Sequence, residues 1–234
     1  MPSYETRKVE VRVGDHKFRL KALLDHQQYS DPDGRAERAG ISSATWPLFG
    51  QLWPASRALA EAVQVVEIEG RRILEIGCGL GLPSLVLQQR GADITASDHH
   101  PMVEHFLDYN AALNKLEPLN YFDLSWEEPA PELGHFDLII GSDVLYERNH
   151  AELVAQLIKR HAHPRAEVMI TCPGRGYRGR LSRALQAQGF RLTEKPRPFE
   201  EGETPPFRGR LLRFKRTGTM QAIGRPCQTL PTSA

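Results

Sequence analysis

The chain has 234 residues, of which 25% are charged and 40% hydrophobic, and its formal net charge is +1. This composition is that of an ordinary globular domain with one substantial core. The balanced charge provides no electrostatic argument for a nucleic acid or membrane partner. No apolar run reaches membrane-spanning length and the N-terminus shows no apolar signal segment, so we expect a cytoplasmic protein. Three cysteines cannot all pair within one chain, which also favours a reducing compartment.

Residues 1–44 are predicted to form an extension ahead of the main domain. Residues 8–23 alternate between apolar and polar side chains on both sides of a Gly-Asp pair, which predicts a β-hairpin. Residues 25–40 are polar and contain a D-P-D-G turn signal, so we expect a mobile or ligand-gated loop. A helix is predicted over 54–66, with a proline at its first position.

Trp53 stands immediately before this helix and is followed by proline. One interpretation is that its large ring anchors the segment to the rest of the domain by burial. The other interpretation is that Trp53 helps to cover a bound cofactor or a reacting amine. We favour the functional role.

A glycine loop follows the first strand of the main domain, where residues 71–81 read R-R-I-L-E-I-G-C-G-L-G. Gly77, Gly79 and Gly81 let the chain turn sharply and approach a ligand closely. Glu75 stands at the carboxyl end of the strand, where open α/β sheets bind ligands. A dinucleotide loop has the spacing G-x-G-x-x-G, and an acid beside it would repel phosphate. The pattern therefore favours a ligand with an ammonium or sulfonium group, the alternative being a glycine-rich turn that binds nothing.

The next predicted strand, residues 92–97, ends in Asp98. In nucleotide-binding βαβ units a carboxylate at this place accepts hydrogen bonds from the ribose hydroxyls. The alternative is that Asp98 caps the helix that begins near Pro101. Strand, glycine loop, helix, strand and acid occur in the order that binding requires, so we favour a binding role.

The main domain alternates between strands and helices, which predicts an α/β fold with a mostly parallel sheet and helices on both faces. No helical segment separates the last two strands, so they are expected to be antiparallel. Residues 217–234 are predicted to form a disordered tail. Strands are expected over 71–76, 92–97, 119–123, 136–141, 166–172, 190–195 and 209–215, and helices over 83–90, 101–114, 149–162 and 179–188.

Further candidate residues follow the third and fourth of these strands. Trp126 can pack on the face of a nucleoside base and Asp123 can accept from its amine, and we favour this binding role over the alternative of a D-L-S-W turn that explains the same residues structurally. Asp143 and Tyr146 lie three residues apart, so in a helical turn they would project from neighbouring positions. A buried acid beside a positively charged cofactor is costly unless it is used. The alternative is a helix-capping aspartate and a packed tyrosine.

The order W-P, E-x-G-x-G-x-G, S-D, L-S-W and S-D-V-L-Y between residues 45 and 172 resembles the class I (seven-β-strand) S-adenosylmethionine-dependent methyltransferases. Within them it resembles the protein-lysine methyltransferases that have a D-x-x-Y motif after strand four. The resemblance implies a Rossmann-like sheet of seven strands with the last one antiparallel, and S-adenosyl-L-methionine as the cofactor. It implies cofactor binding by Trp53, Glu75, Gly77, Gly79, Gly81, Asp98 and Trp126. It places the catalytic pair, Asp143 and Tyr146, at the channel for the target lysine.

The resemblance implies a protein partner that presents a lysine, and a methyltransferase domain over 45–216. N-methylation of a small amine or heterocycle remains an alternative, as does a cofactor-binding interaction module without turnover. The chain lacks the N-P-P-[YF] sequence expected of enzymes that methylate adenine or glutamine side chains. The basic stretch 173–180 is more typical of a solvated loop than of a phosphate-binding segment, so a nucleic acid partner is disfavoured. The cysteines and the H-x-H at 161–163 lack zinc-site spacing, so no metal ion is predicted.

Overall fold

The computed structural model describes residues 4–25, 29–174, 176–196 and 209–217, so the predicted tail after 217 lies outside these ranges. None of the helices within them is long and apolar enough to cross a lipid bilayer. The described strands are β1 (Thr6–Val13), β2 (His16–Leu23), β3 (Arg72–Ile76), β4 (Asp93–Asp98), β5 (Asn120–Asp123), β6 (Phe136–Ser142), β7 (Ala162–Cys172), β8 (Arg191–Pro196) and β9 (Arg210–Lys215). The α-helices are α1 (Arg35–Arg38), α2 (Pro54–Val63), α3 (Leu82–Gln89), α4 (Val103–Leu113), α5 (His150–His161) and α6 (Arg178–Ala187).

Seven strands form one sheet in the order β5-β4-β3-β6-β7-β9-β8. β3 pairs in parallel with β4 and β6, whereas β9 runs antiparallel to both of its neighbours, β7 and β8. This confirms the predicted seven-stranded, mostly parallel sheet with a reversed last strand. The reversed strand lies between β7 and β8, so β8 forms the edge. Residues 197–208, which connect β8 to β9, lie outside the described ranges.

The sheet has a hydrophobic core on each face, because successive side chains of a strand point in opposite directions. On one face Ile73 of β3 packs in a cluster with the hairpin and helices α2, α3 and α4. On the other face its neighbour Leu74 packs in a cluster with α5 and α6. The predicted placement of helices on both faces is therefore confirmed.

The predicted N-terminal hairpin is confirmed as the antiparallel pair β1 and β2. Two asparagines of α4 accept hydrogen bonds from the outer edge of β2: Asn114 from the N–H of Arg19 at 2.8 Å, and Asn110 from the N–H of Lys21 at 2.7 Å. Asn110 also donates to the carbonyl of Leu80 at 3.1 Å. These bonds satisfy donors that a free strand edge would leave unpaired, and they tie the hairpin to the glycine loop.

Two element boundaries differ from the prediction by three residues or more. Helix α2 ends at Val63, three residues earlier than expected. Strand β7 begins at Ala162 instead of 166, because the first pair, Phe136 with Ala162, is followed by a register shift before Leu138 pairs with Glu167. The intervening bulge contains a proline, which cannot donate a hydrogen bond to the neighbouring strand. Because proline is unusual inside a strand, the sequence pattern did not predict a strand here.

The region predicted as a polar loop over 25–40 contains a capped helical turn, α1. The carboxylate of Asp31 is buried and accepts hydrogen bonds from the N–H groups of Ala36 at 3.0 Å and Glu37 at 2.8 Å. Further along, Arg35 donates to the carbonyl of Pro101 at 3.1 Å. These contacts hold the segment that follows α1 beside the carboxyl end of β4, so it is positioned to cover part of the site described next.

Candidate functional site

A cleft of about 640 Å³ opens at the carboxyl ends of the parallel strands. Its walls come from the glycine loop, the residues that follow β4, β5 and β6, and the segment over 39–56. Two predicted residues, Glu75 and Gly81, are absent from this lining among the described residues. Glu75 lies beneath the glycine loop, and Gly81 is its last residue, directly before α3. The structure brings the other predicted site residues together in this lining: Trp53, Gly77, Gly79, Asp98, Trp126, Asp143 and Tyr146.

The glycine loop leaves no room for side chains at the floor of the cleft. Gly79 has a φ of 53°, and a Cβ there would lie 3.0 Å from the backbone oxygen of Phe49. A Cβ on Gly77 would lie 3.3 Å from the Trp126 ring. Glycine therefore allows both Phe49 and Trp126 to close on the loop from opposite sides.

Gly81 has a structural role, since it begins α3 in the left-handed region with a φ of 74°. A Cβ there would lie 2.1 Å from Leu107, whose side chain is buried and has little room to move. We expect Gly81→Ala to lower the free energy of unfolding by about 2–4 kcal/mol, the sum of backbone strain and overpacking. Gly91→Ala is the matched control, because Gly91 also has a positive φ but nothing lies within 4 Å of its added Cβ. Equal losses in urea denaturation of the two variants would contradict the overpacking argument.

Asp98 is positioned by the backbone around it. One carboxylate oxygen accepts from the N–H of Gly79 at 3.0 Å, and the other accepts from the N–H of His100 at 2.9 Å. The backbone N–H of His99 also interacts with this carboxylate. Since a carboxylate has about four acceptor positions, some acceptor capacity remains for a ligand hydroxyl. Burial raises the pKa of Asp98 above its ordinary value. The helix-cap alternative is wrong, because the N-cap residue of α4 is Met102.

Glu75 is fully buried beneath the loop and does not face the cleft. One of its oxygens accepts from both the N–H and the hydroxyl of Ser84 in the first turn of α3. The other oxygen, Oε1, is buried and has no hydrogen-bond partner among the described residues. Burial raises the pKa of this carboxyl to about 8. In the ligand-free protein this carboxyl is therefore largely protonated at pH 7, and it acts on the cleft through the loop that it supports.

Asp143 and Tyr146 follow β6 at the other end of the cleft. Asp143 has a φ of 51° and donates its N–H to the carbonyl of Thr171 at 2.9 Å. A left-handed conformation is uncommon for a residue other than glycine, and such strain clusters at functional sites. Neither a helical turn nor a helix cap forms here, since α5 begins at His150 with Asn149 as its N-cap. Tyr146 is 38% exposed and lies at the mouth of the cleft.

The structure adds three histidines to the lining that the motifs did not identify: His99, His100 and His150. His100 is buried and stacks on Phe49 with ring centroids 4.0 Å apart, and burial lowers its pKa to about 4. His150 packs edge-on against Tyr146 at 4.4 Å. The two histidines that directly follow the strand-ending acid could have been identified from the sequence, whereas His150 had no signal beyond its place at a helix start.

The structure also shows where Trp53 and Asp123 lie relative to the cleft. The indole N–H of Trp53 donates to the carbonyl of Leu48 at 3.0 Å, which fixes its ring in the wall of the cleft. Asp123 does not enter the described lining, and its carboxylate pairs with His99 at 3.2 Å. An adenine contact by Asp123 is therefore unsupported, while Trp126 keeps a position beside the loop.

The sheet order, the glycine loop after the first parallel strand and the acid that ends the next strand define a class I S-adenosylmethionine-dependent methyltransferase. The fold is similar to that of the T. thermophilus 16S rRNA N2 G1207 methyltransferase solved with AdoMet and guanosine. That similarity has a TM-score of 0.61 at 18% identity and covers 92% of this chain and 51% of that one. At this identity the similarity shows the fold alone.

Residues 44–183 match the lysine methyltransferase family, and the chain belongs to this family. It is 28% identical over 142 residues to the protein N-lysine methyltransferase METTL21A of Danio rerio, covering 56% of this chain and 64% of that protein. It is 31% identical over 111 residues to the histone-arginine methyltransferase METTL23 of Rattus norvegicus, covering 44% and 49%. The chain thus spans between about half and two thirds of the length of these two relatives.

Proposed function

We propose that this protein transfers a methyl group from S-adenosyl-L-methionine to the side-chain amine of a lysine in a partner protein. The observation that carries the proposal is that Asp98, beside the glycine loop, and the Asp143–Tyr146 pair lie in the lining of one cleft. Membership of the lysine methyltransferase family supports a lysine as the acceptor.

The residues present fit the cofactor. Asp98 keeps acceptor capacity for ribose hydroxyls, and the buried Oε1 of Glu75 lies beneath the loop, where a cationic ligand would favour the ionised carboxylate. Trp53 and Trp126 supply aromatic walls, while Gly77 and Gly79 keep the floor open. When bound, S-adenosylmethionine supplies an electrophilic methyl group.

The protein's contribution to methyl transfer is to position and desolvate the amine. A lysine amine has an ordinary pKa of about 10.4 and must lose its proton before it attacks. Desolvation beside Tyr146 and the neighbouring positive charge of the cofactor both lower that pKa. Asp143 orients the amine by accepting a hydrogen bond, and most of the rate enhancement then comes from alignment. No dedicated strong base is required.

We expect Asp98→Ala to weaken the binding of S-adenosylmethionine by about 1–3 kcal/mol, because hydrogen bonds to a charged acceptor are lost. Asp123→Ala is the matched control, since Asp123 is the register partner of Asp98 on β5 but lies outside the lining. Isothermal calorimetry measures both variants. Unchanged affinity in Asp98→Ala would remove this residue from the site.

The proposed activity is tested by incubating the protein with methyl-labelled S-adenosylmethionine and a cell lysate. The proposal expects label that survives nuclease, is released by protease and elutes as methyl-lysine after acid hydrolysis. Label in small molecules would support the alternative of an amine or heterocycle substrate, and label in methyl-arginine would indicate the acceptor of METTL23. Cofactor binding without any transfer would indicate an interaction module.

We further propose a division into an N-terminal extension over 1–44, a methyltransferase domain over 45–216 and a tail over 217–234. A cytoplasmic location belongs to the same proposal. It is supported by Cys78 and Cys172, which are buried and not in disulfides. Thiols in this state are typical of reducing compartments.

A further inference from the structure

One buried side chain contacts two aromatic walls of the cleft. His150, the first residue of α5, is only 8% exposed and belongs to the lining. Its ring meets the ring of Tyr146 with centroids 4.4 Å apart and an interplanar angle of 79°. Its ring centroid lies 5.1 Å from that of Trp126, again with an interplanar angle of 79°. Edge-to-face contacts at these distances are favourable and directional, so the imidazole constrains the orientation of both rings.

The two rings come from different segments of the lining. Trp126 lies against the glycine loop, since a Cβ on Gly77 would approach its ring to 3.3 Å. Tyr146 lies three residues after Asp143 and is partly exposed. His150 therefore links the ring beside the glycine loop to the ring of the proposed acceptor pair.

The charge of His150 suits a packing role. Burial lowers its pKa, which keeps the ring neutral at pH 7. The acid that faces it is Glu147, whose Oε2 lies 3.6 Å from Nε2. A neutral ring adds no positive charge that would repel a lysine ammonium ion on its way into the cleft.

We propose that His150 is a positioning residue that sets the spacing between Trp126 and Tyr146 and thereby determines how many methyl groups the acceptor amine receives. Each methyl already on the amine must be accommodated between these walls for the next transfer. A single carbon more or less in such a pocket changes discrimination by about 10- to 200-fold. This inference rests on the proposed lysine methylation, which names the acceptor but not the number of methyl groups.

The test compares His150→Phe with His150→Leu. Phenylalanine keeps a flat ring that can meet both walls edge-on, whereas leucine keeps a buried apolar side chain without a planar edge. Each variant and the wild type are incubated with deuteromethyl S-adenosylmethionine and a lysate, and mono-, di- and trimethyl-lysine are quantified in acid hydrolysates. S-adenosylhomocysteine affinity by calorimetry, together with kcat and KM for the acceptor fraction, provides readouts independent of product counting.

We expect His150→Phe to retain the wild-type distribution of methyl states and a kcat within about threefold. His150→Leu should shift the distribution and lower kcat by about 10-fold or more, with about a three- to tenfold loss of S-adenosylhomocysteine affinity through Trp126. A wild-type distribution in His150→Leu would overturn the inference, as would identical defects in both variants. Absence of methyl-lysine with the wild type would instead refute the proposed function, so the two failures are distinguishable.

Discussion

Asp143→Ala is expected to lower the rate of methyl transfer by about 100-fold or more while cofactor affinity changes by less than about threefold. Asp143 follows β6 in the lining of the cleft, where we propose that it orients the amine, so its loss removes that orientation and leaves the glycine loop and Asp98 intact. Single-turnover kinetics with labelled S-adenosylmethionine measure the first quantity, and calorimetry with S-adenosylhomocysteine measures the second.

Two further variants separate charge from backbone strain at Asp143. Its φ of 51° is tolerated by asparagine and is free of strain for glycine, whereas alanine bears a cost of about 1 kcal/mol. Asp143→Gly should therefore be more stable than Asp143→Ala in urea denaturation, yet equally inactive. Asp143→Asn should keep the fold and lose most of the activity. Full turnover in any of the three would show that Asp143 is not the residue that orients the amine.

The ligand-free protein is expected to lose stability as the pH rises from 6.5 to 8.5, and Glu75→Gln is expected to abolish this loss. The folded protein raises the pKa of Glu75 from 4.5 to about 8 by burial, so in this range the folded state holds a proton that the unfolded state has released. Stability from this group is complete below pH 4.5 and falls until about pH 8. At about 1.4 kcal/mol per pH unit, the loss above pH 6.5 is on the order of 2 kcal/mol.

The pH window is chosen because the buried histidines, whose pKa values burial lowers from 6.5, act below it. Burial lowers the pKa of His100 to about 4, so this residue destabilises the fold as the pH falls below 6.5. Glutamine can still accept from the N–H and hydroxyl of Ser84. Asp93→Asn, at an exposed acid that begins β4, is the control. Urea denaturation at pH 6.5 and 8.5 should show the drop in the wild type and the control but not in Glu75→Gln, and an equal drop in all three would contradict the account.

The features predicted correctly from the sequence are those that local pattern and strand order determine. Asp98 could be placed because the acid directly ends β4, and the carboxyl ends of parallel strands meet at one edge of the sheet. The position of Glu75 was predicted less accurately. In β3 the residues alternate, with Ile73 toward α3 and Leu74 toward α5, so Glu75 falls on the α3 side and lies under the loop.

The covering segment and the histidines depend on contacts between distant parts of the chain. Phe49 closes on Gly79 and stacks on His100, and His150 packs against Trp126. Sequence periodicity cannot report such pairs, because each partner alone looks like an ordinary core or surface residue. The left-handed backbone of Asp143 could not be predicted for the same reason, because it accompanies a hydrogen bond from its N–H to the carbonyl of Thr171 in β7.

The central claim is that the nucleoside of the cofactor lies on the glycine loop and is held by Asp98, with its sulfur directed toward Asp143 and Tyr146. A crystal structure of the protein with S-adenosylhomocysteine tests it most directly. We predict both ribose hydroxyls within hydrogen-bond distance of the Asp98 carboxylate, and the sulfur facing the Asp143 end of the cleft. A ribose bound elsewhere, or a sulfur pointing away from that end, would contradict the account.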